Sequence, residues 1–129
     1  MEHISYLERS GRLPDFEVPY KLYTADEGGR KTPAYQGIRW DFMYDDHREI
    51  LYIIHPEILN VATNESFASE TPIPEFGKAT MWIVSPQFQL LHRQRIKMGT
   101  RGFFMEGPHK MAVCEVTRII GLFENPVAA

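Results

Sequence analysis

Asp26-Glu27-Gly28-Gly29-Arg30-Lys31-Thr32-Pro33, with Gly37-Ile38-Arg39-Trp40-Asp41-Phe42 close behind it, is the stretch on which the fold of this chain turns. Physically the first run is a chain reversal. Gly28 and Gly29 are adjacent residues able to take positive φ, and Asp26 can accept a hydrogen bond from the backbone that follows it. Upstream, Phe16-Glu17-Val18-Pro19-Tyr20-Lys21-Leu22-Tyr23 alternates apolar and polar residues at the period of a strand. Downstream, Trp40-Asp41-Phe42-Met43-Tyr44 predicts a second strand.

Further elements follow from the same rules. Ile50-Leu51-Tyr52-Ile53-Ile54 is a short apolar run bounded by charge and by His55-Pro56, which predicts a buried strand. Pro56 to Asn60 is expected to form one helical turn. Residues 64–74 are expected as a loop, because Pro72 and Pro74, one residue apart, do not suit a central strand. Lys78 to Val84, Gly102 to Met105 and Met111 to Ile120 are expected strands, the last two joined at a Gly107-Pro108 turn. Residues 85–98 read equally as strand or short helix. Residues 1–12 are expected as a lead-in, 13–122 as one domain with an extended 45–76 segment, and 123–129 as a tail. Short strands, many turn residues and little helical period point to an all-β barrel or sandwich.

At 129 residues the chain is long enough for one domain with its own core. A single cysteine cannot form an internal disulfide, which is the pattern expected in a reducing, cytoplasmic setting. No apolar run approaches the ~18–20 residues of a membrane span, and the start of the chain lacks the basic and apolar regions of a signal peptide. A net charge of −3 weighs against a free-standing nucleic-acid binder, because phosphate neutralisation needs concentrated Lys and Arg. One local basic cluster does exist, formed by Arg93, Arg95, Lys97 and Arg101.

The two glycine-bearing blocks resemble the C-terminal (third) domain of translation elongation factor Tu. In that family a strand leads into an acidic-Glu-Gly-Gly-Arg-x-Thr-Pro turn, then Gly-x-Arg and an aromatic strand. Here the pieces stand as Phe16-Glu17, Leu22, Asp26 to Arg30, Thr32-Pro33, Gly37, Arg39 and Phe42. Arg101-Gly102-Phe103-Phe104-Met105-Glu106-Gly107 and the strand from Met111 to Gly121 resemble the family's closing blocks. The likeness runs from Leu13 to Gly121 and is weakest between Asp45 and Phe76, where this chain is roughly a dozen residues longer. It implies a closed six-stranded antiparallel barrel with Greek-key connections. It also implies a binding surface made by Gly28, Gly29, Arg30, Lys31 and Thr32, with Arg39, Trp40 and Asp41 beside it. In the family this surface meets the nucleotide domain, the T stem of aminoacyl-tRNA and the exchange factor. Lys31, Trp40-Asp41, Ala112, Cys114, Glu115 and Pro108 depart from the family pattern, and Asp41 would repel an RNA backbone.

The chain has no Gly-x-x-x-x-Gly-Lys-Ser/Thr loop, so neither GTP nor GTP hydrolysis is expected. Asp45, Asp46, His47, His55 and Glu57 match no tight metal-ligand spacing, and Cys114 on an alternating strand reads as a small packed residue. No catalytic residue, metal or cofactor is expected. The expected function is a non-catalytic module that binds a protein, either translation machinery or a second copy of itself. Tyr35, Trp40, Tyr44 and Phe76 are the aromatic candidates for that contact, and Phe42 and Trp82 are expected in the core. The alternative is a tRNA-binding barrel using Arg30, Lys31, Arg39 and the 93–101 basic cluster.

Overall fold

The computed structural model describes residues 12–127; the expected lead-in, apart from Arg12, and the last two residues of the tail lie outside them. The strands are β1 (Phe16–Leu22), β2 (Asp41–Tyr44), β3 (His47–Tyr52), β4 (Ile54–Leu59), β5 (Phe76–Ile83), β6 (Arg101–Glu106), β7 (His109–Glu115) and β8 (Arg118–Ile119). Among the described residues a helix, α1 (Gln89–Arg95), follows a 3-10 turn at Pro86–Phe88. All strand pairings are antiparallel, in the order β3-β2-β6-β7-β1-β5-β4, with β8 pairing β1. The protein is therefore all-β and barrel-like.

The sheet curls around one aromatic-rich core. Phe16, Val18 and Tyr20 of β1, Phe42 and Tyr44 of β2, Ile54 and Ile58 of β4, Met81 and Ile83 of β5, and Phe104 of β6 all point into it. Period-2 alternation puts these residues on one face of each strand. Edge-to-face pairs, such as Phe16 of β1 with Phe42 of β2 at 6.1 Å between ring centroids, link strands across the core.

β3 and β4 are separated by Ile53 alone, yet β3 pairs β2 and β4 pairs β5, at the two ends of the strand order. Across the gap between β2 and β4, side chains replace a ladder. The Gln36 amide donates to the Ile58 carbonyl at 2.6 Å and accepts from the Ile58 N–H at 2.8 Å. His55 Nδ1 lies 3.0 Å from the Trp40 carbonyl.

This geometry corrects two expectations. The Ile50–Ile54 run is not a buried strand, because Ile50, Leu51 and Ile53 are exposed and only Tyr52 and Ile54 face inward. Pro56 does not open a helical turn but sits within β4, opposite Met81. Ile58 shares its parity and directs its N–H across the gap to Gln36, so the missing prolyl hydrogen falls on the side with no ladder. Residues 85–98, open in the sequence, contain α1, while Phe42 and Trp82 are buried as expected.

Asp15, fully buried, ties Arg12, α1 and the segment around Asn125 to the sheet. One oxygen accepts from the Ile83 N–H at 2.8 Å and from Arg12 at 2.8 Å. The other accepts from Gln89 at 2.8 Å and Asn125 at 2.9 Å. Residues 123–125 of the expected tail are thus fastened to the sheet through Asn125, which is itself buried.

Candidate binding cleft

The Gly-Gly turn is shaped by Thr24 rather than Asp26. Thr24 caps a 3-10 turn at Ala25–Glu27. The Glu27 N–H donates to the Thr24 hydroxyl at 3.3 Å, and the Thr24 N–H donates to the Glu27 carboxylate at 2.9 Å. These bonds hold the Glu27 carboxyl below its usual range. The signal was present in the sequence as Thr-x-x-Glu, the capping-box pattern.

The two glycines have different causes. Gly28 takes φ 97° and closes the 3-10 turn. Gly29 does not need positive φ; a Cβ there would stand 2.1 Å from the Tyr23 carbonyl oxygen. Its N–H donates to the Thr24 carbonyl at 2.8 Å, so close backbone approach is what requires glycine.

The chain then delivers Arg30 to Glu106, the last residue of β6. Arg30 Nη1 donates to Glu106 at 2.5 Å, Nη2 to the Thr32 hydroxyl at 3.0 Å and Nε to the Thr32 carbonyl at 3.2 Å. Trp40 Nε1 donates to the same Glu106 oxygen at 3.1 Å. Burial opposes ionisation of Glu106, but the bonds from Trp40 and Arg30, with the charges of Arg30 and His109, outweigh it and hold the carboxyl below its usual range. Glu106 is thus the residue that joins two motifs the sequence leaves separate.

Beside this triad lies a cleft of about 310 Å³. Leu22, Ala34, Trp40, Ile73 and Met111 supply apolar lining, and Tyr23, Arg30, Lys31, Thr32, Pro33 and Pro72 complete it. Its two walls, the turn and the 71–74 loop, are fastened by the Ile73 N–H to the Ala34 carbonyl at 2.9 Å. Of the expected site residues, Arg30, Lys31, Thr32 and Trp40 line the cleft, and Gly28 and Gly29 shape the turn that carries them. Asp41 pairs Met105, one residue before Glu106, at the same end of the sheet. Lys31 and Arg39 are exposed and make no hydrogen bond or ion pair with the described residues.

Two aromatic candidates are corrected. Trp40 is 1% exposed and Tyr44 is 1% exposed, both built into the core, whereas Tyr35 and Phe76 remain exposed. Trp40 reaches the cleft only as part of its floor. The sequence gives no sign of Pro72, Ile73 or Met111 as cleft residues, because they come from a distant loop and from β7.

The basic cluster is divided. Arg93 donates to the Leu122 carbonyl at 2.8 Å and the Asn125 carbonyl at 2.7 Å, and Arg95 stacks 5.4 Å from the Tyr44 ring centre. Lys97 and Arg101 are exposed, but Arg101 opens β6 and Glu106 ends it. Five strand steps, about 17 Å, separate the two ends. A buried pair lies near Arg95: Tyr44 Oη is 2.6 Å from His92 Nδ1, with the His92 ring edge-on to Tyr52 at 4.8 Å.

Among the described residues, no group of three or more His, Cys, Asp or Glu side chains is placed to hold a metal ion. No helix among them is long and apolar enough to cross a membrane. No protein-family model matches the chain, and no curated protein matches it.

Proposed function

We propose that this chain is a non-catalytic binding module that engages a protein partner through the cleft beside Gly28–Pro33. The observation that carries the reading is the cleft's construction. It has an apolar floor, a rim held in place by the Arg30–Glu106–Trp40 bonds, and walls fastened through Ile73 and Ala34. A preformed concave apolar site with a few placed polar groups suits recognition without an ordering cost.

In this reading the curled sheet closes as a six-stranded Greek-key barrel of the kind found in the C-terminal domain of elongation factor Tu. The one-residue join between β3 and β4, and the Gln36–Ile58 bonds across the gap, support closure. The partner belongs to the translation machinery or is a second copy of the chain, and the setting is cytoplasmic. The tRNA reading is weaker, because Arg93 and Arg95 are engaged within the fold and the remaining cations stand at opposite ends of the sheet.

The test is affinity capture from lysate with wild type and with Pro72→Trp, which closes the cleft mouth at an exposed loop position, across a salt series. The expected result is a protein retained at moderate salt by wild type and lost from the variant. Recovery of tRNA alone, washing off steeply with salt, or equal capture by both proteins, refutes the proposal.

A further inference from the structure

The charge at the cleft is opposite in sign to that of the chain as a whole. The net charge is −3, yet among the described residues the unit-charged side chains of the lining are Arg30 and Lys31, and the nearby Glu106 carboxylate, bonded to Arg30, offsets one of them and leaves Lys31 in excess. Lys31 is exposed and carries three donors with no partner among the described residues. Arg30 has five N–H groups, of which three are engaged, by Glu106 and by the two oxygens of Thr32. Among the described residues, two guanidinium hydrogens and the whole Lys31 ammonium therefore remain for a ligand. Below them the floor, including Ile73 and Met111, is apolar and offers nothing to an ion alone.

We infer that the cleft takes a short segment of a partner protein in which an apolar side chain stands within two residues of an aspartate or glutamate. The apolar side chain fills the floor, and the carboxylate meets Lys31 and the open edge of Arg30. This rests on the binding-module reading and adds to it the chemistry of the partner. A volume of about 310 Å³ suits one large side chain with its neighbour, near the bottom of the ~300–1,000 Å³ span of small-molecule sites. A nucleic acid would place charge on every residue and leave the apolar floor unfilled, so the complement is an acidic and apolar peptide. The engaged side of Arg30 also matters. Its bonds to Thr32 and Glu106 remove rotamer freedom before binding, so less is lost when the carboxylate arrives.

The experiment selects random twelve-residue peptides displayed on phage against the folded chain. The enriched consensus is then synthesised, with its acid and with the matching amide, and titrated onto wild type and Lys31→Glu. Lys31 is exposed and bonded to no described residue, so the substitution leaves the fold intact; far-ultraviolet circular dichroism checks this. The expected result is a consensus pairing an apolar residue with an acid, binding at least tenfold more weakly to Lys31→Glu. The amide peptide binds equally weakly to both proteins. Failure to enrich any peptide over bare support, a consensus without an acid, or unchanged affinity in Lys31→Glu overturns the inference. So does dimerisation of the free chain through Lys31 seen by sedimentation, which would make a second copy the occupant. A consensus without acid that Pro72→Trp still abolishes would overturn only the acidic chemistry and leave the binding module standing.

Discussion

Lowering the pH should destabilise this protein well before its carboxylates protonate, and the cause is His92. The ring is 1% exposed and Nδ1 lies 2.6 Å from the Tyr44 hydroxyl. Burial also raises the pKa of Tyr44, so the phenol keeps its proton while it shares a hydrogen bond with a neutral imidazole. Desolvation, with the Arg95 charge adding to it, lowers the His92 pKa from 6.5 to about 4. In the unfolded chain the imidazole binds a proton near pH 6.5, but in the folded chain it does so only near 4. The unfolded state therefore holds more protons across that interval, and stability is fully present above it and falls as pH drops through it. At ~1.4 kcal/mol per pH unit the whole interval is worth ~3 kcal/mol, against the ~5–15 kcal/mol of a typical domain. Glu27 and Asp45, whose folded pKa values are lowered, lose their contributions at more acid pH. Urea unfolding followed by tryptophan fluorescence between pH 7 and 4.5 measures the slope. His92→Phe keeps a ring in the slot and removes the proton site; it should be less stable at pH 7 but flat through this interval. A wild-type stability constant to within ~0.5 kcal/mol, or a slope that persists in His92→Phe, would refute the reasoning.

Gly29→Ala should destabilise by ~2–4 kcal/mol, because its Cβ would meet backbone atoms of Tyr23 that cannot yield cheaply; Gly28→Ala, strained only in φ, should cost ~1 kcal/mol. Urea midpoints of the two variants check the order. Asp15→Ala strips the acceptor from Arg12, Gln89, Asn125 and the Ile83 N–H at a fully buried site, so a loss of ~3–5 kcal/mol is expected by thermal and urea melts. Burial raises the Cys114 thiol well above its ordinary range, so a thiol-specific disulfide reagent at pH 8 should label it only under denaturing conditions, and rapid native labelling would contradict its placement.

Most of the strand content was legible because it rests on local rules. β1, β2, β5 and β6 follow from alternation and from Gly and Pro punctuation, and the 64–74 loop from its prolines, whereas the expected Met111–Ile120 strand is split into β7 and β8. Pro56 to Asn60 reads locally as a helical turn, and only the three-dimensional arrangement shows that the missing prolyl hydrogen of β4 faces a gap bridged by Gln36. The residues shaping the turn were legible in type but not in role: Thr24-x-x-Glu27 is a capping pattern, and Gly29 is glycine because a carbonyl passes close by.

Sequence alone determined an all-β chain, the turn at Gly28-Gly29 and the candidate residues Arg30, Lys31 and Thr32, because turn chemistry and strand period act over a few neighbouring residues. Tertiary structure decided everything that depends on separation along the chain. It buried Trp40 and Tyr44, sent Arg93 and Arg95 into the fold, and joined Arg30 to Glu106 across 76 positions. It also brought Pro72, Ile73 and Met111 to the turn to make a cleft. The curl of the sheet sets which distant side chains share a face, and no local pattern carries that information.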